Sequence, residues 1–106
     1  MTKEATLEEL DAARGAGAYV LDVREGGEYS EAHVPAARLM PLGVVPVRAH
    51  ELPKDGPVYV VCASGARSAQ AMEILHRAGV DARSVAGGTN AWIRSGRPVE
   101  TGAPRT

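Results

Sequence analysis

Val58-Tyr59-Val60-Val61-Cys62-Ala63-Ser64-Gly65-Ala66-Arg67-Ser68 decides the architecture. The run through Cys62 is apolar and rich in β-branched residues but too short for a helix. That is the pattern of a strand buried on both faces. Small residues follow, among them Gly65. From Arg67 to Arg77 the periodicity becomes helical, with Ser68, Ala71, Met72, Leu75 and Ala78 on one face and Gly79 as the stop. A buried strand running straight into an amphipathic helix is half of a βαβ unit.

The alternation continues on both sides. Upstream, Lys54-Asp55-Gly56-Pro57 is a turn cluster, and Pro41 to Pro53 reads as a loop with a short helix after Pro46. Arg38-Leu39-Met40 reads as a brief strand. Glu25 to Ala32 is at most a short helix, broken by Val34-Pro35. Tyr19-Val20-Leu21-Asp22-Val23 reads as a second buried strand. Thr6 and Glu9 have the spacing of a capping box, opening a helix that Gly15 and Gly17 end. Downstream, Val80 to Ala86 is a strand, Gly87-Gly88 a tight turn, and Thr89 the cap of a last helix carrying Trp92 and Ile93; Gly96 to Thr106 is a tail. The expectation is a single α/β domain over 1–106, with 5–100 as its folded core, 101–106 as tail, and helices flanking a mostly parallel sheet. In such sheets the crevice lies beyond the carboxyl ends of the strands, where Asp22, Cys62 and Gly87 all fall.

Composition narrows the function classes. Hydrophobic residues at 44% and charged residues at 24% fit a folded globular chain and not a disordered one. A formal charge of −1 and a pI near 6.3 give no basic face for nucleic acid or an anionic membrane. No apolar run approaches the roughly 18 residues of a membrane helix, and no secretory signal follows Met1, so a cytoplasmic protein is expected. The absence of a heptad pattern points to a monomer. Cys62 is the only cysteine, which excludes an intramolecular disulfide and a multi-thiolate zinc site. No His or carboxylate pair has metal-ligand spacing, so neither metal nor cofactor is expected.

Two readings of Cys62 stand side by side on these residues alone. It is either a small core residue at a plain strand-to-helix connection or a nucleophile. In the second reading, backbone N–H groups from Ala63, Ser64, Gly65, Ala66, Arg67 and Ser68 form a cradle for an anion. The helix N-terminus and the Arg67 guanidinium add positive charge, and Gly65 supplies the backbone freedom. A thiol at the centre is then acidic and nucleophilic.

Three groups of residues resemble the signatures of the rhodanese family, in order and in spacing. They are Leu21-Asp22-Val23-Arg24-Glu25 with Glu28-Tyr29 and His33-Val34-Pro35; Val60-Val61-Cys62 with Ser64-Gly65 and Arg67-Ser68; and Gly87-Gly88 with Ala91-Trp92. The resemblance covers nearly the whole chain. It implies a three-layer fold with a five-stranded, largely parallel sheet. It also implies a cysteine that takes a sulfane sulfur as a persulfide and passes it on. Phosphatase relatives carry one more residue in the loop; Cys62 to Arg67 counts six, the sulfur-transferring length. Three connector positions depart from the family pattern: Ala32 and Ala36 stand where glycine is usual, and Arg38 where a small or amide residue is common.

The resemblance thus makes Cys62 the catalytic residue and 63–68 the substrate-binding loop. Thiosulfate or another persulfide is the expected donor, with an external thiol or cyanide as acceptor. Arg67 either attracts the sulfonate of thiosulfate or braces the loop. Asp22, Arg24, Gly87 and Gly88 are supporting residues. Asp22 is expected to orient the loop through backbone N–H groups or an arginine, and Arg24 to pair with Glu25, Glu28 or a carbonyl. His33 is read as structural, His50 and His76 as surface residues, and Trp92 as core or crevice wall. Two alternatives accompany the enzyme reading: a module carrying sulfur between proteins, and a non-catalytic interaction domain.

Overall fold

The computed structural model describes residues 3–104; Met1, Thr2, Arg105 and Thr106, and with them the outer limits of the predicted domain, lie outside the described residues. Strands β1 (Glu4–Ala5), β2 (Tyr19–Asp22), β3 (Arg38–Leu39), β4 (Val58–Val61) and β5 (Ala82–Val85) form one sheet in the order β1-β5-β4-β2-β3. Every pairing is parallel, with Leu21 opposite Val60 and Val60 opposite Ser84. Helices α1 (Leu7–Gly15), α2 (Gly26–Glu31), α3 (Val45–Arg48), α4 (Ala66–Arg77) and α5 (Gly88–Arg94) complete the domain. This is the α/β class and the five-stranded parallel sheet expected from the sequence.

The strand pleat sorts the core into two layers. Val58, Val60 and Cys62 point to one face, where they meet Leu21, Val45 of α3, and Met72 and Leu75 of α4. Tyr59 and Val61 point to the other, against Val20, Leu10 of α1 and Trp92 of α5. Both faces are covered, which is why the central strands read as unbroken apolar runs. Thr6 caps α1 as expected: its hydroxyl accepts from Glu9 N–H at 3.0 Å, and the Glu9 carboxylate accepts from Thr6 N–H at 2.9 Å. Among the described residues no helix is long and apolar enough to cross a membrane.

Several segments differ from their sequence reading. The segment from Pro41 to Pro53 is not a loop around one helix but three successive helical turns, Leu42–Val44, α3 and Ala49–Glu51. Val45, Ala49 and Leu52 recur at helical spacing and bury against β2 and α4, while Pro46 sits in the first turn of α3, where its missing N–H is harmless. Thr89 does not cap α5. Gly87 does, and Thr89 lies inside the first turn, fully buried. His76 is half-buried, and its Nε2 donates to the Ala82 carbonyl at 2.7 Å, tying α4 to the start of β5.

The predicted tail is anchored at three points. Trp92 Nε1 donates to Pro98 O at 2.8 Å, His33 and Glu100 exchange backbone bonds at 2.9 Å, and Gly102 N–H reaches Ser30 O at 2.8 Å. The connector departure at Ala36 has a structural counterpart. Ala36 adopts φ +71°, a left-handed conformation that a β-carbon disfavours.

Candidate active site

Cys62 follows the last residue of β4, on the face covered by α4, and is 1% exposed. The chain turns sharply after it. Gly65, at φ +119°, caps α4 in a conformation that L side chains avoid. The turn brings the Gly65 N–H to 3.0 Å from Cys62 Sγ. Backbone N–H groups of Ser64 and Ser68 also reach the sulfur, and the Ser68 hydroxyl lies 3.5 Å from it. Burial pushes the thiol pKa up. The Ser68 hydroxyl and the N–H groups of Ser68, Gly65 and Ser64 outweigh that, and the thiol is held below its ordinary value. Of the six residues from Ala63 to Ser68, Ser64, Gly65 and Ser68 bring backbone N–H groups to the sulfur.

A second helix terminus fixes the loop from behind. The first N–H groups of a helix have no partner within it. In α5 they are used to hold the loop: Thr89 N–H bonds Cys62 O at 2.8 Å, and Asn90 N–H bonds Ala63 O at 3.0 Å. Gly88 lies where a β-carbon would meet both carbonyls, so the loop backbone can approach it this closely only because it is glycine.

Arg67, at the end of the six-residue loop, does not point an open fork at the crevice. Its Nη1 and Nη2 donate to the two carboxylate oxygens of Glu28 at 2.7 and 2.8 Å. Glu28 also accepts the Glu25 N–H at 3.0 Å, which fixes it at the start of α2. The Arg67 and Glu25 hydrogen bonds hold its carboxyl at about 2, well below the usual carboxylate range.

Asp22 and Arg24 form a different unit. Asp22 is fully buried and shares the strand face of Val20, opposite the face of Cys62. Its carboxylate accepts the Arg24 backbone N–H at 3.0 Å and pairs with the Arg24 guanidinium at 2.8 Å. Arg24 Nη2 also donates to Ala32 O at 2.8 Å. The expected arginine partner of Asp22 is thus Arg24, and the bonds brace the connector after α2 instead of the cysteine loop. Arg24 takes a carbonyl as expected, but its carboxylate is Asp22 and not Glu25 or Glu28. His33 is structural: its Nδ1 lies 2.7 Å from Tyr29 O, and its ring stacks on Tyr29 at 3.7 Å. Trp92 is core, 0% exposed, while His50 is on the surface.

Two residues of the site were not singled out in the sequence. Glu28 was noted within a signature and as a possible partner of Arg24, not of Arg67; its spacing from Glu25 is the overlooked signal of a helix start. Ser84 lies in β5 opposite Val60, and its hydroxyl sits 2.8 Å from that of Ser68. The overlooked signal there is a polar residue at an inward position of a buried strand. Among the described residues no group of three His, Cys, Asp or Glu side chains could hold a metal ion.

A parallel five-stranded sheet with a cysteine directly after its central strand, wrapped in N–H groups that lead into a helix, defines a class of α/β domains built around an acidic thiol. The Rhodanese-like domain family matches residues 6–95, and the chain belongs to that family of sulfurtransferases. The chain is 37% identical over 81 residues to a sulfurtransferase of Allochromatium vinosum, covering 76% of each protein. It is 43% identical over 60 residues to the putative sulfur carrier protein YrkF of Bacillus subtilis, spanning 57% of this chain and 32% of that one. A rhodanese-related protein of Thermoplasma volcanium superimposes with a TM-score of 0.86 at 32% identity, over 92% of this chain and 97% of that one.

Proposed function

We propose that this protein transfers sulfane sulfur through a persulfide on Cys62. The observation that carries the reading is the convergence of the Ser64, Gly65 and Ser68 N–H groups and the Ser68 hydroxyl on Sγ. The thiolate attacks the outer sulfur of a donor, R–S–SH or thiosulfate. A bond forms between Cys62 Sγ and that sulfur. The donor's S–S bond breaks, and its electron pair leaves with R–S⁻ or sulfite. The same N–H groups then face the bound sulfur and stabilise the anionic persulfide. In the second half-reaction a thiol or cyanide attacks the terminal sulfur and Cys62 departs as thiolate, giving ping-pong kinetics. With Cys62 the only cysteine, the acceptor is external to the chain.

Intact mass after incubation with thiosulfate or an alkyl persulfide tests the first half-reaction. One added sulfur atom is expected, absent in Cys62→Ser. No sulfur from either donor, or robust aryl-phosphatase turnover lost in Cys62→Ser, would overturn the reading.

A second reading, a carrier passing sulfur between proteins, is favoured by the likeness to the putative sulfur carrier of Bacillus subtilis. Loading from a protein persulfide much faster than from thiosulfate would support it.

A further inference from the structure

We propose that Glu28 is a specificity determinant of the Cys62 site: by occupying the Arg67 fork it sets the crevice against dianionic sulfur donors such as thiosulfate and in favour of organic persulfides, which carry at most one negative charge. This rests on the reading of Cys62 as the sulfur-accepting nucleophile.

A dianionic donor needs a cation at the mouth of the site, both to approach a thiolate and to stabilise the departing sulfite. Arg67 is the loop's own cation, and both of its terminal nitrogens are bound to Glu28 at 2.7 and 2.8 Å. The other guanidinium that acts on Glu28 is Arg24, and it is already paired with Asp22 at 2.8 Å. The charges acting on Arg67 are Glu28, the Cys62 thiolate and Asp22. Two guanidinium groups thus face two carboxylates and a thiolate, and the set is net negative when the nucleophile is ready to react. A donor carrying two negative charges is repelled by such a set more strongly than a persulfide, which carries at most one.

The arrangement is built before any donor arrives. Glu28 is the third residue of α2, and its Oε1 also takes the Glu25 N–H at 3.0 Å. Its carboxylate is therefore held by α2 on one side and by the loop arginine on the other, so a donor that needs Arg67 must displace a charge-assisted, two-pronged partner. An organic persulfide has no sulfonate to place on a cation and needs only the N–H cradle. With it the step balances as thiolate plus R–S–SH giving Cys62–S–SH plus R–S⁻, and no dianion is formed.

The test is a donor ratio. Rates of Cys62 persulfide formation are measured for thiosulfate and for an alkyl persulfide, by intact mass, in the unmodified protein, Glu28→Gln and Glu28→Gln/Arg67→Gln. Glutamine keeps an oxygen for the Glu25 N–H, so the helix start is retained, but it removes the charge. The unmodified protein is expected to favour the alkyl persulfide. In Glu28→Gln the thiosulfate-to-persulfide ratio is expected to rise about ten- to a hundredfold, the value of a freed charge-assisted contact. The double variant is expected to lose that gain, because the gain requires the Arg67 cation. A ratio unchanged by Glu28→Gln, or a gain that survives loss of Arg67, would overturn the role of Glu28 while leaving sulfur transfer intact. Failure of both donors to load the unmodified protein would overturn the proposed function and this inference with it.

Discussion

A β-carbon placed on Gly88 would stand 2.5 Å from the carbonyl oxygen of Cys62 and 2.7 Å from that of Ala63. Gly88 also holds φ +56°. Gly88→Ala therefore combines a clash with backbone strain, and a loss of about 2–5 kcal/mol is expected. The loop is pushed from the Thr89 and Asn90 N–H groups, so persulfide loading falls further than the unfolded fraction explains. Urea denaturation and loading of the folded fraction check both; a loss under 1 kcal/mol, roughly the scale of a surface substitution, would contradict the close approach.

The pH dependence of Cys62 follows from its hydrogen bonds. Its folded pKa lies below the ordinary thiol value of about 8.5. A depressed pKa contributes stability that is fully present above about 8.5 and lost as pH falls through the folded value. Alkylation by iodoacetamide should show a midpoint below that reference. Ser68 has one hydroxyl proton. When that proton turns to the thiolate, the Ser68 oxygen is free to accept from Ser84, 2.8 Å away. Ser84→Ala should raise the midpoint and Ser84→Thr restore it. An unmoved midpoint in Ser84→Ala would deny Ser84 this positioning role.

Asp22 and Arg24 form a buried ion pair, at 0% and 5% exposure. Asp22→Ala leaves a guanidinium buried without its partner, with an expected cost of about 3–5 kcal/mol. The joint change Asp22→Leu/Arg24→Met removes both charges and should be close to neutral. Because Asp22 lies on the face opposite Cys62, the folded double variant should still load sulfur. Loss of loading there would mean that the pair acts on the chemistry as well as on the connector.

Ala36 pays for its left-handed φ of +71° with steric strain. Ala36→Gly should stabilise the protein by about 0.5–1 kcal/mol, raising Tm by several degrees. A lower Tm would show that glycine's extra freedom in the unfolded chain outweighs the relief.

Ending the chain after Arg97 removes the acceptor of the Trp92 indole N–H and the Glu100 partner of His33. A loss of about 1–3 kcal/mol is expected from the orphaned indole N–H alone. A red shift of Trp92 fluorescence should accompany it. Unchanged stability would show that these anchors carry no weight.

The sheet was legible because β2 and β4 are short apolar runs between turn signals, and α4 has clear helical periodicity. The loop was legible for the same reason: Cys62 directly follows a strand and a helix begins four residues later. What escaped was non-local or side-chain detail. Glu28 and Arg67 are 39 residues apart, and nothing local announces that they meet. Asp22 was assigned to the loop side because strand ends were counted and strand faces were not. The turns from Leu42 to Glu51 were obscured by prolines that suit a first turn as well as a loop. The anchoring of the 96–104 segment depends on carbonyls finding Trp92 and other distant donors, which composition does not encode.

The pairing of Glu4 and Ala5 with Ser84 and Val85 has a consequence for biosynthesis. Among the described residues the first strand of the sheet pairs with the last in sequence, and the intervening β5–β4–β2 pairings also join segments far apart in the chain. Glu4 and Ala5 therefore stay without these partners until Ser84 and Val85 have been made. The α5 groups that grip the cysteine loop emerge later still. The supports of the cysteine loop thus come from the far end of the domain, and the thiol acquires its shifted acidity only once those late segments have docked.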